Sequence, residues 1–99
     1  MGETEVYCVR STIIYISKRK IKITYFNQIF GSVDRNDNET ITEGICRLLN
    51  DNKNKVNLCK VLENINIIAY DFDNKNCVFE YDTCVKVVDI WLTNLKFLL

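Results

Sequence analysis

Polar and apolar residues alternate most strictly over Lys20-Ile21-Lys22-Ile23-Thr24-Tyr25. A period of two sends Ile21, Ile23 and Tyr25 to one face of a strand and Lys20, Lys22 and Thr24 to the other. Two shorter runs of β-branched and aromatic residues come before it, Glu5 to Arg10 and Thr12 to Ser17, and both read as strands. Ser17-Lys18-Arg19 closes the second and third runs into a hairpin, without the Asn-Gly pair that would fix its register. After Phe30 the chain turns polar from Gly31 to Asn38.

The period then changes. Thr40-Ile41-Thr42-Glu43 has the form of a capping box, with Thr40 as N-cap and Glu43 reaching back from the third helical position. A helix to about Asn50 follows, with Ile41, Ile45, Leu48 and Leu49 on one stripe and Glu43 and Arg47 spaced to pair on the polar side. Gly44 in its interior costs about 1 kcal/mol relative to alanine, so this helix has to lean on tertiary packing. Val56 to Leu62 fits either a short helix or a strand, and the helix is preferred.

Ile65 to Phe72, a polar turn Asp73 to Asn76, and Cys77 to Tyr81 read as a second hairpin. From Asp82, a suitable N-cap, the rest is helical. Cys84, Val88, Trp91, Leu95 and Leu98 line one face of that helix and Lys86, Asp89, Thr93 and Lys96 the opposite one. The expected fold is a single α+β domain over residues 1–99. It has an antiparallel sheet of about five strands, the C-terminal helix in the core, and a second helix near 40–50 on the same face.

An alternative lets the strands close into a small barrel plugged by the terminal helix. The ending NCVFEYDTCVKVVDIWLTNL resembles the last strand and capping helix of pleckstrin-homology-like domains, with Trp91 where such helices often carry a tryptophan. The resemblance covers only this final stretch and implies a capped barrel.

Composition narrows the chemistry. The chain has no histidine and no proline, one alanine (Ala69), three glycines and abundant Ile, Asn and Lys. That skew follows A/T-rich codons and points to the genome of a virus, a phage or an intracellular parasite. It also advises reading Asn36 to Asn38, Asn50 to Asn54 and Asn74 to Asn76 as turns. Without histidine the usual general base and the usual zinc site are missing. No nucleophile elbow, Gly-rich phosphate loop or metal-ligand spacing takes their place, so no cofactor is expected and the chain reads as non-enzymatic.

Five cysteines, Cys8, Cys46, Cys59, Cys77 and Cys84, include no CxxC pair. Together with an opening MGETEVY that lacks a long apolar run, they suggest free thiols in a reducing, intracellular setting. Asn38-Glu39-Thr40 matches a glycosylation sequon that has no meaning in the cytosol, and Val6 breaks the N-myristoylation pattern begun by Gly2. No segment has the roughly twenty apolar residues of a membrane span.

Four constellations remain. Lys18, Arg19, Lys20 and Lys22, with Arg10 on an adjacent strand, form a basic hairpin able to touch phosphates. Asp71, Asp73, Glu80 and Asp82 hint at a calcium loop, but Lys75 occupies its fifth position. Cys84 is the thiol best placed for reactivity, in the first turn of the last helix, although its phase makes it a core residue. Phe97, Leu98 and Leu99 end the chain on an apolar note; they fold back on the core or, failing that, dock against a partner or a second copy.

The favoured expectation is a small intracellular interaction protein that binds a protein partner. Its alternative is a nucleic-acid or ribonucleoprotein-associated factor that sets Arg10, Lys18, Arg19, Lys20 and Lys22 on phosphates, with Tyr15 or Tyr25 for stacking. Thirteen basic and thirteen acidic residues balance to zero net charge, which argues against a general nucleic-acid binder.

Overall fold

The computed structural model describes residues 4–65, 70–71, 76–77 and 79–98. Four strands, β1 (Glu5–Val9), β2 (Thr12–Ile16), β3 (Lys20–Tyr25) and β4 (Gln28–Asp34), form an antiparallel meander in the order β1-β2-β3-β4. Helices α1 (Ile41–Asp51) and α2 (Leu58–Asn64) follow, then a short ribbon of β5 (Tyr70–Asp71) with β6 (Asn76–Cys77), and helix α3 (Tyr81–Leu98). The molecule is a small α+β domain.

Alternation puts Ile14 and Ile16 of β2, Ile21 and Ile23 of β3 and Val33 of β4 on one face of the sheet, where all are buried. Ile45, Leu48 and Leu49 of α1, Val61 and Leu62 of α2 and Val88 of α3 complete the same core. Tyr7 of β1 packs against Trp91 of α3 with ring centroids 6.1 Å apart, which carries the core to the far edge of the sheet. Asn64 of α2 donates to the buried Thr12 hydroxyl at 2.8 Å, so that this inward polar group is satisfied.

The fourth strand is a correction to the sequence reading, which places no strand between Tyr25 and the helix at Thr40 and takes Gly31 to Asn38 as a polar connection. Ile23 pairs with Gly31 but Thr24 pairs with Ile29, leaving Phe30 as the extra residue of a β-bulge. The bulge turns both Phe30 and Gly31 toward the core and breaks the period of two. The 65–81 hairpin likewise pairs, Tyr70 with Cys77 and Asp71 with Asn76, but as a separate ribbon and not as a fifth strand of the main sheet. Nor does the meander close into the alternative barrel: β1 and β4 stand at the two ends of the strand order.

Helix α1 begins as expected. Thr40 Oγ1 accepts from the Glu43 N–H, and Glu43 Oε1 accepts from the Thr40 N–H, each at 3.1 Å. The expected Glu43–Arg47 pair is replaced by another. Arg47 reaches backward to Glu39, donating from Nε and Nη2 to its two carboxylate oxygens at 2.8 and 2.9 Å, and also donates to the Asp34 carbonyl at 2.6 Å. A two-pronged guanidinium–carboxylate contact outcompetes a helical i,i+4 pair worth a few tenths of a kcal/mol. The cap leaves Glu43 otherwise engaged.

Two glycines let α1 approach the sheet. A Cβ on Gly44 would lie 2.6 Å from Ile21 Cδ1, and one on Gly31 would meet Leu48 Cδ2 at 2.8 Å as well as the Asn52 amide nitrogen. The interior glycine that weakens α1 as a helix therefore seats it on β3. Gly31→Ala should lower stability by about 1–3 kcal/mol in urea unfolding, since both intruding groups belong to packed side chains. Gly44→Ala should lose less, because a helix-propensity gain of about 1 kcal/mol opposes the overpacking.

Arg47 holds the Glu39 carboxyl below its ordinary value of 4.5, mainly through their hydrogen bonds. The unfolded chain thus binds a proton at this carboxyl before the folded one does, and the contribution disappears as pH falls below that value. Glu39→Gln should lower the urea midpoint at pH 7 and flatten the loss of stability expected for the parent chain as pH falls below about 4.5.

Candidate binding surface

Helices α1 and α3 cover one face of the sheet, and the other face has a definite grain set by strand register. One row runs Cys8–Ile13–Thr24–Ile29 across β1 to β4, and the next runs Val6–Tyr15–Lys22–Ser32. Beyond them Lys20 faces Asp34. The face is therefore apolar toward one end and basic toward the other. Val6 and Ile29 are 54% and 67% exposed, unusual for large aliphatic side chains within a sheet.

At the basic end the structure brings together Lys18, Arg19, Lys20 and Lys22 and adds Arg35, a residue the sequence reading did not single out. The Arg35 N–H donates to the Arg19 carbonyl at 2.7 Å and its Nη1 donates to the Ser17 carbonyl at 2.8 Å, which pins the β2–β3 loop beside the end of β4. Asp34 and Asp37 share the cleft of about 510 Å³ lined by Lys18, Arg19 and Lys20. Lys20 and Asp34 are 3.6 Å apart and largely exposed, a pair worth well under 1 kcal/mol. Lys22 lies 4.5 Å from the centre of the Tyr15 ring, stacked over its own strand neighbour.

Arg10 is not part of this cluster. It sits in the β1–β2 turn, and Val9 pairing with Thr12 places that turn at the opposite end of the sheet from Lys20 and Asp34. Five residues of strand at about 3.4 Å each separate the two ends. Tyr25, offered for stacking, lies on the inner side and packs against the core, whereas Tyr15 is on the open face. The side chains of Phe97 and Leu98, and Leu99 altogether, lie outside the described residues, as does Asp73.

The end that holds Arg10 carries a second signal. Tyr25 pairs with Gln28, so Phe26 and Asn27 form a two-residue turn, and both have positive φ, 49° and 63°. That is the signature of a type I′ hairpin, in which Asn-Gly is preferred and a bulky side chain at the first position is strained. Phe26 is 66% exposed and meets the Tyr25 ring edge-on at 4.7 Å. Its N–H donates to the Ser11 carbonyl at 3.0 Å, tying this turn to the one that carries Arg10, whose own φ is 54°. The pair Phe26-Asn27 lacks the glycine that marks such a turn in a sequence.

Thr24 sits between Ile13 and Ile29 in the apolar row, and its buried hydroxyl has no hydrogen-bond partner. On the helix side of the sheet a smaller cleft of about 250 Å³ lies between β1 and the two helices, where Tyr7 donates to Glu5 at 2.8 Å and Thr42 donates to Asp89 at 3.3 Å. Burial and the bonded Glu5 carboxylate raise the Tyr7 phenol above its ordinary value. Among the described residues no group of Cys, Asp and Glu is placed to hold a metal ion, and no helix is long and apolar enough to cross a membrane.

Thr24→Val removes the orphan hydroxyl at nearly constant volume. It should stabilise the chain by about 1 kcal/mol in thermal or urea unfolding, the cost of an unsatisfied buried hydroxyl being about 1–3 kcal/mol. Compared with known protein families, curated proteins and solved structures, the chain matches none.

Proposed function

We propose that the chain is a non-catalytic interaction module whose open sheet face docks a protein partner. The observation that carries this reading is Phe26. A left-handed conformation costs a residue with a Cβ about 1–2 kcal/mol, and a ring left 66% exposed recovers little of that by burial. The edge-on contact with Tyr25 returns part of that cost, and strain kept at an exposed position is typical of residues that serve a contact. Ile29, just beyond the turn on β4, adds a second exposed apolar side chain near it, and Arg10, in the turn tied to this one by the Phe26–Ser11 hydrogen bond, adds a residue type common in interface centres.

Charge describes the partner further. Arg10 at one end and Lys20 with Lys22 at the other leave the face with more basic than acidic side chains, so an apolar surface bordered by carboxylates fits it best. The nucleic-acid alternative is less well supported. Asp34 and Asp37 interrupt the basic cleft, and the face offers one tyrosine that its own lysine already covers, whereas stacking platforms present several free rings.

The test couples stability to binding. Phe26→Asn should stabilise the free chain by about 1 kcal/mol, because asparagine tolerates the left-handed turn. The same substitution should weaken the partner at least roughly tenfold, as removal of a central aromatic contact does. Binding is read by capture from nuclease-treated extract of cells that make the protein, followed by titration of the purified partner against the parent, Phe26→Asn and Ile29→Asp chains. A protein held by the parent and released by both variants is the expected result. Equal retention by both variants, or retention only before nuclease, overturns the reading.

A further inference from the structure

Cys46 of α1 and Cys84 of α3 lie against each other in the core, with Cys84 Sγ 3.0 Å from Cys46 Sγ and neither residue exposed. The separation is about 1 Å more than a covalent S–S bond of about 2.05 Å and less than an ordinary non-bonded contact. The two residues are 38 apart in sequence and sit on the two helices that pack together over the sheet. We propose that Cys46 and Cys84 close as an intramolecular disulfide that ties α1 to α3. The other two thiols described, Cys8 on the exposed sheet face and Cys59 on α2, occupy different parts of the fold.

The oxidant is a low-molecular-weight disulfide such as oxidised glutathione. One cysteine thiolate attacks a glutathione sulfur, the glutathione S–S bond breaks, and a mixed disulfide forms as one glutathione thiolate leaves. The second cysteine thiolate then attacks the protein sulfur of that mixed disulfide and releases the second glutathione thiolate. The protein gives up two electrons and two protons, and one oxidised glutathione becomes two thiols.

Burial governs when this happens. Contact with Cys84 and the apolar surroundings push the Cys46 thiol far above its ordinary value, so the folded reduced pair exchanges slowly. Closure belongs to folding, while the thiols are still reachable, and the finished bond is shielded from small reductants. The link encloses α2 and the β5–β6 ribbon in a covalent loop, which restricts the unfolded chain and holds α3 in place.

The experiment refolds the full chain from denaturant in a buffer containing reduced and oxidised glutathione, using the parent and a variant with Cys8, Cys59 and Cys77 changed to serine. In that variant the expected product is lighter by two hydrogens, takes up no N-ethylmaleimide when denatured, and yields a peptide pair bridging α1 and α3. Its Tm should exceed that of the reduced form by about 10 °C, a gain abolished by a further Cys84→Ser change. If the triple variant fails to fold, the peptide map of the parent decides. Alkylation of both Cys46 and Cys84 after refolding, or a bridge that joins either of them to a different cysteine, overturns the proposal.

Discussion

The close approach of α1 to the sheet is the constraint on which the remaining structure depends. At Gly44 and Gly31 there is no room for a Cβ, so helix and sheet meet nearer than ordinary side chains would allow. That proximity buries Ile21 and Ile23 completely and brings Arg47 within reach of both Glu39 and the end of β4. It also determines sidedness. With α1 seated on β3 and β4, α3 packs beside it and reaches β1 through Trp91, and both helices lie on one layer. The opposite face, with its apolar and basic ends, is left open by this arrangement.

The parts of the fold legible in the sequence are those where one local rule acts without competition. Lys20 to Tyr25 alternates because its strand has a buried side and a solvated side, and the structure divides its residues that way up to Thr24, which is outward yet covered by its row neighbours. Thr40 and Glu43 announce the start of α1 because a capping box is a short-range device. The fourth strand was hidden by its bulge, which places Phe30 and Gly31 inside in succession and so imitates a loop. The Arg47 partner was hidden for a different reason: Glu39 precedes the helix, and helical spacing says nothing about residues outside it.

The candidate surface was legible in fragments. Lys18 to Lys22 were recognisable as a basic hairpin, but the same hairpin register that assembles them sends Arg10 to the far end. Arg35 joins them through backbone pairing between β3 and β4 that no spacing rule reveals. Phe26 was passed over because its meaning lies in a backbone angle. Zero net charge likewise concealed an uneven distribution, with lysine on the open face and carboxylates drawn into the helix caps and the β4 end. The absence of histidine has a plain corollary, since no side chain at its ordinary pKa changes charge between about pH 5 and 8.

Strand order in the sheet is the order of the chain, β1 to β4, with each strand beside its successor. Every pairing in that meander closes a loop of two or three residues, and none waits for a segment made later. Such sequence-local topology carries a small loop-closure entropy and favours rapid formation. During synthesis the sheet and α1 have all their mutual contacts in the first half of the chain, well before α3 leaves the ribosome. The open face is thus complete early, while the inner face still lacks its last helix, and vectorial folding exposes one hydrophobic layer for the time needed to make the second half.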